Sequence, residues 1–278
     1  MTEFWTTAQQ TMVAPRPQRS VFSVHDGKTF IVTGAAGGVG SATVALLVSQ
    51  GARVVAWDVR EEPLAGATSA FGEDQVRPVA CDLGDQASIE RAFRTSEDAF
   101  GAVHGVVNNA ALSRRGDPLD LAWSDWQACM TVNVFGAYET SRLAARSMIR
   151  HGIPGAIVNV ASEAGKKGHT VSIPYSASKA ALISMTRVFA AGVAPYDINV
   201  NCICPGSIAT DMLRSVAAHM GRLSGMTGEE VYPKLVSSQL KRHITPEEVA
   251  RTISFLLSDD ALIIRGQAVN TDGGDTPY

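Results

Sequence analysis

From Lys28 onward, short runs of β-branched and apolar residues alternate with stretches of helix-forming residues, and this rhythm constrains the fold more than any other feature. The runs are Thr29-Phe-Ile-Val-Thr, Arg53-Val-Val-Ala-Trp, Val76-Arg-Pro-Val-Ala, Gly105-Val-Val-Asn, Ala156-Ile-Val-Asn-Val, Ile198 to Cys204 and Gln267-Ala-Val-Asn. Residues 38–50, 86–100, 124–150, 175–192 and 246–257 read as helices between them. Asp85 is placed to cap one helix, and Thr245-Pro246-Glu-Glu starts another with proline in its first turn. Strands this continuously apolar must be covered on both faces, which a parallel sheet flanked by helices achieves. The expected class is therefore α/β, with a seven-stranded parallel sheet, helices on both faces and no second domain. Residues 212–242 break the rhythm, and are expected to form helices lying over a ligand cleft. Residues 1–27, rich in Thr, Gln, Ser and Pro, are read as a flexible or surface-lying extension ahead of a domain spanning 28–278.

Composition excludes several functions. The net charge is −3, which argues against nucleic-acid or membrane-surface binding driven by bulk charge. No apolar run approaches the ~20 residues that span a bilayer. Cys81, Cys129, Cys202 and Cys204 include a Cys-Ile-Cys pair, but that pair sits in an apolar strand run. Free buried thiols in a reducing cytoplasm are the expected reading, with no metal site.

The first strand runs directly into Thr33-Gly34-Ala-Ala-Gly37-Gly38-Val39-Gly40 and then a helix. In that setting glycines permit a tight turn, let the backbone approach a pyrophosphate and let helix pack on strand. The helix N-terminus adds unpaired N–H groups for the phosphates. The second strand ends at Asp58, 24 residues past Gly34. A carboxylate there can accept from adenosine ribose hydroxyls and repels a 2′-phosphate, favouring NAD over NADP, although Arg60 keeps NADP in view. Asp82-Leu83 ends the third strand at the height of the adenine, with simple turn chemistry as the alternative for Asp82. Asn109-Ala110 ends the fourth.

Tyr175 and Lys179 lie four residues apart in a helical stretch, so their side chains rise from one face. Tyrosine ordinarily ionises near pH ~10, too high for a base at neutral pH. An ammonium ~4 Å away, at an effective dielectric of ~20, interacts by about 4 kcal/mol as an upper figure, lowering that value by up to ~3 units.

Taken in order, T-G-x-x-x-G-x-G, N-N-A, Y-x-x-x-K and P-G resemble the short-chain dehydrogenase/reductase family, over Lys28 to Gly274. The resemblance implies a single Rossmann-like doubly wound domain and a catalytic tetrad of Asn133, Ser162, Tyr175 and Lys179. Tyr175 would exchange the alcohol proton as general base, and Ser162 would hydrogen-bond the reacting oxygen. Lys179 would lower the tyrosine pKa and bind the nicotinamide ribose, while Asn133 would hold a water leading from Lys179 to solvent. Pro205, Gly206, Ile208 and Thr210 are assigned to the nicotinamide carboxamide side. A homotetramer, or a homodimer, is implied, with contacts through the fourth and fifth helices (124–150 and 175–192) and the last strand. Ala111, Gly192, Asp197 and Arg265 depart from the family pattern without removing a catalytic atom.

The implied activity is NAD-dependent hydride transfer between a nicotinamide cofactor and a secondary alcohol or ketone, such as a sugar alcohol or diol. A 3-oxoacyl-thioester reductase and a non-catalytic dinucleotide-binding regulator are the alternatives. Glu163 could bond a polyhydroxylated substrate or be a solvated loop charge. Arg114-Arg115 could receive an anionic substrate group or be solvated. Lys166-Lys167 reads as surface charge, and His169 as pocket-lining or partly exposed.

Overall fold

The computed structural model describes residues 24–277. The expected extension at 1–27 thus lies almost wholly outside the described residues. Seven parallel strands form one sheet in the order β3-β2-β1-β4-β5-β6-β7. They are β1 (Thr29–Thr33), β2 (Arg53–Asp58), β3 (Val76–Ala80), β4 (Gly105–Asn108), β5 (Gly155–Val160), β6 (Ile198–Pro205) and β7 (Ala268–Thr271). Strand ends agree with the sequence reading to within one residue.

Both faces are covered, as the apolar runs require. Alternate residues of β1 divide between them: Phe30 and Val32 face one core, Ile31 the other. The first core holds residues of α1 (Gly38–Ser49), α2 (Glu61–Thr68) and α10 (Pro246–Leu257). The second holds Ile89 and Phe93 of α3 (Gln86–Phe100), Ala144 and Met148 of α5 (Ala137–His151), and Ala190 and Val193 of α7 (Ile173–Val193). Caps fix the helix starts. Asp85 accepts from the N–H of Ala87 at α3, and Thr245 accepts from the N–H of Glu248 at α10.

Three elements were not legible in the sequence. The short α2, between β2 and β3, lies in a stretch that the sequence reading does not assign. The stretch 124–150 is not one uniform helix: α4 (Trp123–Met130) passes through a π-helical segment, Thr131–Gly136, before α5 begins. A single turn, α6 (Ala164–Lys167), follows β5. Residues 212–242 are helical as expected, comprising α8 (Asp211–Ser224), α9 (Gly228–Val231) and a 3₁₀ turn at Tyr232–Leu235.

Candidate active site

Strand register brings the sequence-identified residues to one edge. Thr33 lies opposite Trp57, Asp58 opposite Ala80, Asn108 opposite Asn159, and Pro205 opposite Thr271, all at the carboxyl ends of their strands. The chain leaves β1 towards β2 on one side, while β4 pairs on the other. At such a switch point the strand ends diverge and leave a crevice for a ligand.

The glycine turn fits a dinucleotide. Gly34 has φ +66°, and a Cβ there would stand 2.8 Å from the Ala110 Cα. At Gly40 a Cβ would fall 2.1 Å from the Gly34 carbonyl oxygen, so neither position admits a side chain. Gly38 packs on the Thr210 methyl, linking the start of α1 to the loop after β6. Gly37 begins α1 without a capping side chain, and the first turn carries no acidic residue. Its amides and positive dipole end suit a phosphate. Val39 is buried in the first core, so its contribution to this surface is its backbone.

Thr33 and Asn109 hold this turn from behind. The Thr33 hydroxyl accepts from the N–H groups of Asn109 and Ala110, both at 3.0 Å. The Asn109 amide donates to the carbonyls of Thr33 and Gly34 at 2.9 and 3.1 Å. Asp58 is buried and braces the same turn through Oδ2, which accepts from the Ala36 N–H at 3.1 Å. Its Oδ1 accepts from the Arg60 N–H and Nε at 3.0 and 3.2 Å. Asp82 is exposed and accepts from the Gly84 N–H, as in simple turn chemistry. Leu83 is buried against Gly136 of the π segment.

The π segment sits where Asn133 lies, a frequent sign of functional constraint. The Asn133 amide is 1% exposed and fully used. Its Oδ1 accepts from the Leu112 N–H at 2.7 Å, and its Nδ2 donates to the Leu112 carbonyl at 2.8 Å and the Ser178 hydroxyl at 2.9 Å. Ser178 in turn donates to the Tyr175 carbonyl at 2.7 Å. Asn133 therefore clamps the loop after β4 to the first turns of α7, a role its sequence position did not reveal.

Tyr175 and Lys179 share one face of α7, with the ammonium 5.7 Å from the centre of the phenol ring. The Ser162 hydroxyl accepts from the Ala164 N–H at 3.1 Å and lies close enough to the phenol to lower its pKa. Lys179 is buried and donates to the Val160 carbonyl at 2.6 Å. Burial lowers its pKa to about 8. The expectation that Lys179 depresses the tyrosine pKa is not met in this state of the protein. Burial raises the Tyr175 pKa, and the opposing influences are the Ser162 hydroxyl and the charge of Arg115. The ammonium turns towards β5, and a group this deeply buried is a weakened cation.

Elsewhere the loop charges depart from expectation. Glu163 is not a solvated loop charge, and its Oε2 is buried with no hydrogen-bond partner. It is 5% exposed and pairs with Lys167 at 3.3 Å, with His169 at 3.6 Å. Lys167 also pairs with Asp275, and Lys166 donates to the Ala268 carbonyl at 3.0 Å, so neither lysine is merely surface charge. Pro205 closes β6, and Gly206 packs on Asp272 and Glu163. Ile208 bridges to Ile244, which fixes the course of the chain to Thr210. All four cysteines are free and buried. Among the described residues no helix is long and apolar enough to cross a membrane.

Comparison with known proteins defines the class. Residues 28–221 match the family model for short chain dehydrogenases, and the chain belongs to that family. It is 34% identical over 251 residues to a 2,5-dichloro-2,5-cyclohexadiene-1,4-diol dehydrogenase of Sphingobium indicum, covering 90% of this chain and 97% of that protein. It is 33% identical to a 3-oxoacyl-[acyl-carrier-protein] reductase of Thermotoga maritima, covering 90% of this chain and 98% of that one. Sorbitol dehydrogenase of Cereibacter sphaeroides is 33% identical over 255 residues, with 90% and 98% covered. The crystal structure of levodione reductase superposes with a TM-score of 0.85 at 26% identity, over 91% of this chain and 99% of that one. The protein is therefore an oxidoreductase with a Rossmann-type fold that uses a nicotinamide cofactor.

The lysine environment makes a stability prediction. An ammonium whose pKa falls from 10.5 to about 8 on folding opposes folding below pH 8, and that opposition fades as pH rises towards 10.5. Lys179→Met is expected to stabilise the cofactor-free protein at pH 7, less the ~1 kcal/mol of the lost Val160 hydrogen bond. Its advantage should shrink by up to about 1.4 kcal/mol per pH unit above pH 8. Urea unfolding of both proteins at pH 7 and pH 9.5 checks this, and a pH-independent difference would contradict it.

Proposed function

We propose that the protein is an NAD-dependent dehydrogenase of a secondary alcohol, working reversibly on the matching ketone. The carrying observation is that the Ser162 hydroxyl, the Tyr175 phenol and the buried Lys179 ammonium gather at the carboxyl edge that also bears the glycine turn. A serine hydroxyl and a phenol on one edge can together hold a substrate oxygen and exchange its proton.

In this reading the glycine turn, the first turn of α1 and the residues after β6 hold the cofactor. Once bound, the cofactor would supply hydride acceptance and donation. Ser162 orients the substrate oxygen and stabilises the negative charge that builds on it. Tyr175 takes the hydroxyl proton in oxidation and returns it in reduction. Lys179 and Asn133 fix the proton-carrying face of α7, Asn133 through its clamp on Leu112 and Ser178. Asp58 supports NAD over NADP because a buried carboxylate at the end of β2 repels a 2′-phosphate. Arg60 is already engaged with that carboxylate, which weakens the case for its use on a phosphate.

The names of two relatives, a diol dehydrogenase and a sorbitol dehydrogenase, support a diol or sugar alcohol. The Thermotoga relative keeps a 3-oxoacyl-thioester reductase as the second reading. Exposed Phe135, Tyr138 and Ile149, with Val188 on α7, support assembly through these helices into a homotetramer. A single-chain mass by light scattering would count against it. Free buried thiols fit a cytoplasmic setting.

A panel of diols, sugar alcohols, ketones and a 3-oxoacyl thioester, followed by cofactor absorbance with NAD(H) and NADP(H), tests the activity. The expected result is turnover of alcohols with NAD favoured at least tenfold in kcat/KM; NADP preference would overturn the reading of Asp58. Tyr175→Phe is expected to lose at least a thousandfold in kcat while binding NADH within threefold of wild type. Undiminished turnover in that variant would remove Tyr175 from the proton transfer.

A further inference from the structure

Among the groups flanking the Ser162–Tyr175 pair, Arg115 stands apart. It lies in the loop between β4 and α4, and three contacts fix that loop. Asn133 bonds both backbone groups of Leu112, and the Gly116 N–H donates to the Val171 carbonyl at 3.1 Å, just ahead of α7. The Arg115 guanidinium reaches across to α8, where Nη1 donates to the Ser215 hydroxyl at 3.1 Å. Neighbouring Arg114 behaves differently, turning outwards to pair with Asp125 at 3.6 Å.

Arg115 is partly buried, and burial lowers its pKa. The influence that partly offsets this is that of the Tyr175 phenol, and no carboxylate contributes. Arg115 in turn opposes the rise in the Tyr175 pKa, so guanidinium and phenol sit within mutual electrostatic reach. A half-desolvated guanidinium without a counter-charge is costly, and proteins normally pair it or use it. Its fork of N–H donors, beside a serine hydroxyl, has the shape and polarity for the two oxygens of one carboxylate.

We propose that Arg115, with Ser215, is a substrate-binding subsite for a carboxylate, so that the alcohol oxidised at Tyr175 belongs to a hydroxy acid. This narrows the dehydrogenase reading above and rests on it. A phosphate would call for more positive charge than one arginine and one hydroxyl supply. The subsite also explains why α8 is tied to the loop after β4: a bound carboxylate would draw the two together.

The test compares hydroxy acids with diols that match them carbon for carbon. β-Hydroxybutyrate, γ-hydroxyvalerate and δ-hydroxycaproate are each set against the diol in which the carboxylate is replaced by a hydroxymethyl group. For the acid of best-fitting length, kcat/KM is expected to exceed that of its diol at least tenfold. Arg115→Met should abolish that ratio, and Arg115→Lys should keep part of it. Binding of unreactive butyrate to the NADH-loaded protein, read by cofactor fluorescence, should weaken at least tenfold in Arg115→Met while NADH affinity stays within threefold. Diols matching their acids at every length, or a ratio unmoved in Arg115→Met, would overturn the subsite and leave the dehydrogenase reading standing. A tenfold loss of NADH affinity in that variant would assign Arg115 to the cofactor and also overturn it. If no alcohol or ketone turns over with either cofactor, the dehydrogenase reading fails; absence of butyrate binding then removes the subsite as well.

Discussion

The candidate site depends on one costly placement, the ammonium of Lys179 sealed beneath α7 with the Val160 carbonyl as its hydrogen-bond acceptor. Burying a cation opposes folding unless the neighbourhood compensates. The neighbourhood here is the sheet edge itself, where β5 ends and offers its last carbonyl. Tyr175 is then carried one turn above that cation, and Ser162, two residues past Val160, is delivered to the phenol by the same strand. The groups proposed to handle the proton are thus placed by one strand end and one helix, rigid elements rather than loops.

What joins them to the cofactor side is a pair of side-chain amides, one partly buried and one fully buried. Asn109 and Thr33 pin the glycine turn to β4, and Asn133 pins the loop after β4 to α7. The Asn133 amide is the acceptor for the Leu112 N–H, so its loss would leave that N–H without its partner. The π segment at 131–136 is the local distortion that accompanies the second clamp.

Much of this was legible in the sequence. Strand runs placed all seven strands, because a doubly covered strand has no polar face to blur the pattern. Glycines at 34, 38 and 40, the carboxylate at 58 and the Tyr175–Lys179 spacing marked the edge correctly. What was hidden depended on contacts between distant segments. Nothing near Glu163 in the sequence foretells Asp275, more than a hundred residues later, so its withdrawal into an ion-paired cluster with Lys167 could not be read. Nor could spacing show that Lys179 would turn to Val160, leaving burial to raise the Tyr175 pKa. The four-residue interval fixes which face a side chain leaves from, and not where its charge ends up.

The central claim, resting on the proposed function, is that Tyr175 is the proton carrier and that burial holds back its basicity in the free protein, while a bound nicotinamide cofactor, positively charged when oxidised, would lower its pKa. Titrating ring-labelled tyrosine by carbon NMR, with Tyr175 assigned by comparison with Tyr175→Phe, measures this directly. The account expects a pKa above the ordinary tyrosine value in the free protein, falling below it when NAD is bound. A Tyr175 pKa already depressed in the free protein, or one that NAD leaves unmoved, would contradict it.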